Sequence, residues 1–175
     1  MTRILAMTAL LVAAAGCANE GTTPAASPAG ASAVADLVDA SGATVAHATA
    51  IESGGAIRIN IDATAVPSGI HGTHVHTVGR CDAPDFTTAG GHWNPGSTMH
   101  GVENPHGPHA GDMPNLTIGA DGRGTLAITL PAGTLDAMLD ADGAAIVIHA
   151  AADDLKTDPS GNSGARIACG VFRRA

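Results

Sequence analysis

His74, His76, His92, His100, His109, Asp112 and His149 are the residues whose types and spacing could do chemistry. Side chains two apart on a strand share a face. In Gly69-Ile70-His71-Gly72-Thr73-His74-Val75-His76, His74 and His76 can therefore reach one ion while Val75 packs the other way. A glycine-rich stretch follows, Ala89-Gly90-Gly91-His92-Trp93-Asn94-Pro95, then His100-Gly101 and His109-Ala110-Gly111-Asp112. His149 ends the apolar run Ala144-Ala145-Ile146-Val147-Ile148. Imidazole suits both copper and zinc, and a carboxylate among nitrogen donors suits zinc better than soft Cu(I) storage.

The elements that must position these groups read as β. Ala33–Asp39 and Val45–Glu52 are apolar runs split by Ser41-Gly42, and Ile57–Asp62 alternates with three isoleucines on one face. Asn115–Ile118 and Thr125–Leu130 flank Asp121-Gly122, a hairpin signal. With the segment through His76, Ala144–His149 and Ala165–Phe172, eight strands are expected. Leu135–Leu139 has room for one helical turn. Two stretches, Gly79–Pro114 and Ala151–Gly164, lack strand patterning. Loops of that length are usually functional, and the first holds His92, His100, His109 and Asp112.

Composition agrees with this class. With 23 glycines and 10 prolines among 175 residues, the chain is rich in turns. Aromatic residues are 2% and tyrosine is absent, so the core must be built from Val, Ile, Leu and Ala. A net charge of −8 argues against nucleic acid as a partner. No interface patch stands out that would fix an oligomeric state.

The chain resembles the copper/zinc superoxide dismutase family. The resemblance rests on His71-Gly72-Thr73-His74-Val75-His76, Gly91-His92-Trp93-Asn94-Pro95, His100-Gly101, His109-Ala110-Gly111-Asp112, His149 through Asp153-Asp154-Leu155, and Gly164-Ala165-Arg166-Ile167-Ala168-Cys169-Gly170-Val171. These segments follow the family's order and cover nearly all of residues 33–175. The resemblance implies an all-β fold, an eight-stranded Greek-key β-barrel or sandwich with two long functional loops and the metal site outside the barrel. It implies one copper and one zinc ion per subunit. Copper falls to His74, His76, His92 and His149, and zinc to His92, His100, His109 and Asp112, with His92 bridging the two. The implied activity converts superoxide to O2 and H2O2 by alternating reduction and oxidation of copper, with Arg166 guiding the anion and Lys156 as a second candidate guide. The alternative on the same fold is a non-catalytic copper/zinc-binding envelope protein, a chaperone or metal buffer.

The resemblance further makes Asp153 a carboxylate linking His74 and His100, and joins Cys81 to Cys169 in a disulfide. Asp154 and Asp158 read as solvated loop acids. His71 is expected to be buried and bonded to backbone, and His47 structural or exposed. His106 is a competitor of His109 for zinc, with the His-x-x-Asp register favouring His109. Thr73 stands where the family commonly has a large aromatic residue.

The N-terminus reads as a processing segment. Met1-Thr2-Arg3 is followed by apolar Ile4–Ala15, too short for a comfortable membrane span, and by Gly16-Cys17. Ala15-Gly16-Cys17 resembles the end of a bacterial lipobox, although Ala14 stands where leucine is usual; ordinary signal cleavage is the alternative. The expected organisation is a lipoprotein-type signal at 1–16, lipidation at Cys17, a flexible Ala/Pro/Ser/Thr tether at 17–32 and the barrel domain at 33–175. The protein is then exported to the cell envelope and touches a membrane through this anchor only.

Overall fold

A computed structural model of the protein describes residues 30–175. The expected signal at 1–16, Cys17 and all of the tether before Gly30 lie outside the described residues. The described residues open on a meander of β1 (Ser32–Asp39), β2 (Thr44–Ser53) and β3 (Ala56–Ala63). Alternation drives it: Ile57, Ile59 and Ile61 are buried, while Arg58 and Asp62 face solvent. The β1–β2 turn is tied by Asp39, whose Oδ1 accepts from the backbone N–H groups of Ser41 and Ala43 at 2.8 and 3.0 Å.

The remaining strands are β4 (Gly69–His71), β5 (Thr73–His76), β6 (Leu116–Ile118), β7 (Gly124–Thr129), β8 (Ala145–His149), β9 (Arg166–Val171) and β10 (Arg173–Arg174). Among the described residues all strand pairings are antiparallel. The main sheet runs β5-β8-β9-β1-β2-β3-β7, with β10 added to β1, and β4 pairs β6 separately. Neighbours distant in sequence, β5 with β8 and β3 with β7, give the Greek-key character. The sheet curls around its core, and the β4/β5 segment joins β6 with one half and β8 with the other.

The eight expected strands are all present; one is subdivided, and a short strand, β10, is added at the end. The segment through His76 is interrupted at Gly72, whose N–H donates to Ala151 O at 2.8 Å. A Cβ there would stand 2.8 Å from Ser163 Cβ and 3.2 Å from Asp153 Cβ, so only glycine lets the second long loop lie against the strand. Phe172 separates the short β10 from β9. The helical turn is α1 (Leu135–Met138), capped by the Thr134 side chain and by Glu52 Oε2, which accepts from Leu135 N at 2.7 Å.

The core is small-residue and aliphatic, as composition requires. Ala33, Ala35, Leu37, Ala48 and Ala50 pack with the β3 isoleucines, Val75, Ile146 and Ile148. Strand β8 is buried on both faces. Ile146 and Ile148 point into the barrel, whereas Ala145 and Val147 join a second cluster with Phe86, Ala89 and Cys169 beneath the first long loop. Cys81 and Cys169 are disulfide-bonded, 88 residues apart in sequence, with Cα atoms 5.7 Å apart. The bond fits an oxidising compartment. Replacing both cysteines by serine should lower unfolding free energy by about 2–5 kcal/mol in denaturant titrations. A midpoint unchanged from wild type would contradict a stabilising role.

Candidate metal centre

Strand alternation places the first donors. On β5, Val75 is in the barrel core, so His74 and His76 lie on the opposite face under the long loop, both wholly buried. On β8 the same alternation sends Val147 and His149 to that side. His149 sits beside β5 through its N–H, which donates to Gly72 O at 2.9 Å. The loop delivers His92 next to β5, where His92 and His76 form an isolated antiparallel bridge.

Four buried ring nitrogens have no hydrogen-bond partner: His74 Nδ1, His76 Nε2, His92 Nε2 and His149 Nε2. These four residues can bring one donor atom each within 4.8 Å of the others. In all four the opposite nitrogen is engaged: His92 Nδ1 lies 3.0 Å from Asp112 Oδ1, and in the other three an acceptor fixes the tautomer. His76 Nδ1 donates to Gly90 O at 2.9 Å, His149 Nδ1 to Gly164 O at 3.1 Å, and His74 Nε2 to Asp153 Oδ2 at 2.6 Å. An unpartnered buried polar atom costs about 1–3 kcal/mol, so four converging on one point fit a metal ion. Four imidazoles suit copper.

A second set surrounds Asp112 Oδ1. His92 Nδ1 and His100 Nδ1 lie 3.0 Å from it and His109 Nδ1 lies 3.3 Å from it. His92 Nδ1 and His109 Nδ1 are 3.3 Å apart. A tetrahedron of donors about 2.0 Å from a zinc ion has edges of about 3.3 Å, so this set fits zinc. The other carboxylate oxygen, Oδ2, accepts from Gly101 N at 2.8 Å and His109 N at 2.9 Å, which fixes the carboxylate. His74 is also close enough to group with His92, His100 and Asp112. Its Nε2 is engaged by Asp153 and its Nδ1 belongs to the first set, whereas His109 Nδ1 lies 3.3 Å from both Asp112 Oδ1 and His92 Nδ1. His92 presents Nε2 to one set and Nδ1 to the other.

Asp153 joins the sets from behind. Besides His74, it contacts His100 Nε2 at 3.1 Å through Oδ1, which also accepts from Leu155 N at 2.6 Å. Its backbone is gripped from both sides by the Asn115 amide, at 2.8 and 2.9 Å. Gly161, with φ of 59°, packs so tightly on the carboxylate that a side chain would collide with it.

Burial sets the electrostatics. Desolvation lowers His74 to about 3, His76 to about 2 and His149 to about 4, and also lowers His92. All four rings stay neutral, the form a metal needs. For His100, burial opposes the charge but the carboxylates of Asp112 and Asp153 outweigh it, raising the ring to about 9. Asp112 and Asp153 are held well below the usual carboxylate range; burial would raise them, but hydrogen bonds from their histidines prevail.

Arg166, on β9, is half-buried. Its Nη1 donates to Phe86 O at 2.7 Å and its Nη2 to Gly90 O at 2.6 Å. With His76, His92 and His149 it lines a cavity of about 490 Å³, open to solvent. Lys156 does not line that cavity and pairs with Glu103 at 2.9 Å on the surface. His71 is buried with both nitrogens on backbone carbonyls, His149 O at 2.7 Å and Pro67 O at 2.9 Å. Exposed His106 stands outside both donor sets, and exposed His47 pairs with Asp36 at 2.6 Å. Thr73 is buried, its hydroxyl donating to Pro114 O at 3.1 Å.

The two loop acids read as solvated are not idle. Asp154 ties its own loop, accepting from Lys156 N, Thr157 N, the Thr157 hydroxyl and the Asn162 amide. Asp158 accepts from His100 N at 2.7 Å across 58 residues. Asn115 is still less visible in the sequence. Its only sequence signal is an amide at the head of a strand, which does not show a contact 38 residues away.

Fold and site together define a Greek-key β-barrel with two adjoining groups of residues that could hold metal ions. The family model described as copper/zinc superoxide dismutase matches residues 42–172, and the chain belongs to that family. It is 41% identical over 147 residues to superoxide dismutase (Cu-Zn) 1 of Aquifex aeolicus, covering 79% of this chain and 86% of that protein. It is 47% identical over 120 residues to the superoxide dismutase-like protein YojM of Bacillus subtilis, covering 65% and 61%. The solved structure of a SOD-like protein from Bacillus subtilis superposes with a TM-score of 0.74 at 41% identity, covering 79% of this chain and 96% of that one. The Cu/Zn superoxide dismutase from Brucella abortus gives 0.68 at 28% identity, covering 81% and 99%.

The depressed histidines give chelator-stripped protein a definite pH response. An unfolded histidine titrates near 6.5, so between that value and about 4, where His149 titrates, the unfolded chain binds more protons. Stability must therefore fall as pH drops through that window. His100 has the opposite sign: its contribution is complete below about 6.5 and is lost as pH rises through about 9. Thermal melts of the stripped protein from pH 4 to 10 should peak between these limits, and a flat profile would contradict the burial of these rings.

Proposed function

We propose that the protein is a superoxide dismutase with one copper and one zinc ion per subunit. The observation that carries this reading is the convergence of four unpartnered nitrogens beside an open cavity that also holds Arg166. Copper is assigned to His74, His76, His92 and His149, and zinc to His92, His100, His109 and Asp112. Copper supplies one-electron redox chemistry, and zinc supplies a closed, redox-inert charge. The net reaction takes two superoxide anions and two protons. One anion gives up an electron and leaves as O2, and the other gains it and leaves as H2O2.

The chain's own groups do the rest. Arg166 attracts the anion into the cavity and orients it with its guanidinium. His92 would hold both ions, with Nε2 facing the copper set and Nδ1 the zinc set, and its Nε2 would be the atom that holds a proton for the second anion. Asp153 keeps His74 and His100 in their working tautomers. His76 and His149 are oriented by the carbonyls of Gly90 and Gly164.

Metal analysis with an activity assay tests the assignment. His74→Ala or His149→Ala should remove copper-dependent turnover while zinc stays bound. His100→Ala or Asp112→Ala should abolish tight zinc binding and leave weaker copper binding. Full zinc stoichiometry after either zinc-side change would overturn the assignment. Both metals bound by wild-type protein without turnover would favour the copper and zinc buffer instead.

The role of Arg166 has its own test. Arg166→Glu should slow turnover at low ionic strength by at least about tenfold, roughly 1.4 kcal/mol of barrier, with both metals retained. The wild-type rate should fall as salt rises. Undiminished activity in a fully copper-loaded Arg166→Glu protein would sink the role.

The proposed organisation is a lipoprotein signal at 1–16, an acylated Cys17, a tether at 17–32 and the catalytic domain from 33 onward. It is supported by Ala15-Gly16-Cys17 and by the oxidised cysteine pair of an exported protein. The mature protein should partition with membranes and carry the mass of acyl chains, and Cys17→Ser should release it. Unmodified wild-type protein in the soluble fraction would refute the anchor.

A further inference from the structure

Each donor histidine described above, apart from the doubly engaged His92, has an outward nitrogen facing a protein acceptor. For His74 and His100 it is Asp153, for His76 Gly90 O, and for His149 Gly164 O. For His109 the carboxylate that faces Nε2 is Asp158, at 3.7 Å. That separation is too long for a direct hydrogen bond, yet close enough for a charge to act on the ring's N–H dipole or through a bridging water. The same Asp158 oxygen, Oδ1, accepts from the backbone N–H of His100 at 2.7 Å. One carboxylate from the second long loop thus addresses two of the four zinc-side residues, one through its backbone and the other through its ring. Asp158 also lines the cavity that holds Arg166, on the wall that includes His109. The adjoining turn is secured independently, by Asp154 and by Gly161 N–H donating to Thr157 O at 2.7 Å. The position of Asp158 is therefore set by its own loop and is available to act on another.

We propose that Asp158 is a positioning residue for zinc, clamping the His100 backbone and polarising His109 from the second long loop. The proposal rests on the zinc assignment above. Its chemistry is that of an outer acceptor: a negative charge behind Nε2–H makes Nδ1 a better donor to a cation and holds the ring in one tautomer. It is distinct from the role of Asp153, which links the zinc half to the copper half. Asp158 acts on the zinc half alone.

The test uses full-length protein reconstituted with both metals, and two variants. Asp158→Asn keeps an oxygen for His100 N but removes the charge facing His109, whereas Asp158→Ala removes both. Zinc affinity is measured by competition with a chromophoric chelator, and site geometry by the visible ligand-field spectrum after replacing zinc with Co(II). Zinc affinity should fall at least about tenfold in Asp158→Ala and by a smaller factor in Asp158→Asn. The Co(II) bands should shift in both variants, whereas Asp154→Asn, which alters the same loop without touching a donor, should leave them in place. Wild-type affinity and spectrum in both Asp158 variants would overturn the proposal. An equal Co(II) shift in Asp154→Asn would also overturn it, by showing that general loop order is responsible. A wild-type protein that binds no zinc would overturn the underlying zinc assignment, a result distinguishable from either of these.

Discussion

A single buried carboxylate, Asp153, stands between the imidazoles of His74 and His100, and the arrangement of both donor sets follows from it. A carboxylate removed from water is destabilising unless every oxygen finds donors. Here two rings and the Leu155 N–H provide them, while the Asn115 amide pins the backbone from both sides. Meeting that demand fixes which nitrogen of each ring faces outward. The inward nitrogens, His74 Nδ1 and His100 Nδ1, are thereby directed at two separate points. Gly72 and Gly161 are the complement of this constraint: each leaves the space in which the second loop can bring Asp153 to the strand.

The barrel contributes direction. Period-two alternation puts Val75 in the core and its neighbours His74 and His76 outside it, and the same rule along β8 separates Ile146 and Ile148 from Val147 and His149. A strand buried on both faces is unusual in an antiparallel sheet with a solvated side. Here it marks where the first long loop covers the barrel with Phe86, Ala89 and Cys81. The loop is consequently a packed layer held by its own apolar cluster and a covalent tie, rigid enough to carry ligands.

Much of this was legible in the residues themselves. The isoleucines of β3, the Asp121-Gly122 turn and the doublet of histidines around Val75 announce strands and a metal face through local rules. His109 rather than His106 lies against Asp112, because the turn after His109 returns its N–H to Asp112 Oδ2. What local rules could not give were contacts made by loops with no periodicity of their own. Asp158 reads as one more surface acid until the fold brings it to the His100 backbone. The break at Gly72 is equally invisible, since its cause is Ser163 and Asp153 lying against the strand from 91 and 81 residues downstream. Lys156 carried the right charge in the right loop, but its partner Glu103 lies in the other long loop and holds it away from the cavity.

The carbonyl of Gly90 accepts from both the His76 ring and the Arg166 guanidinium. One peptide plane therefore sets the spacing between an ion-binding ring and the cation at the cavity's mouth. A displacement of that peptide would act on both groups at once. The entrance and the centre thus share one anchor, and a substitution that shifts the Gly90 carbonyl would be felt at both.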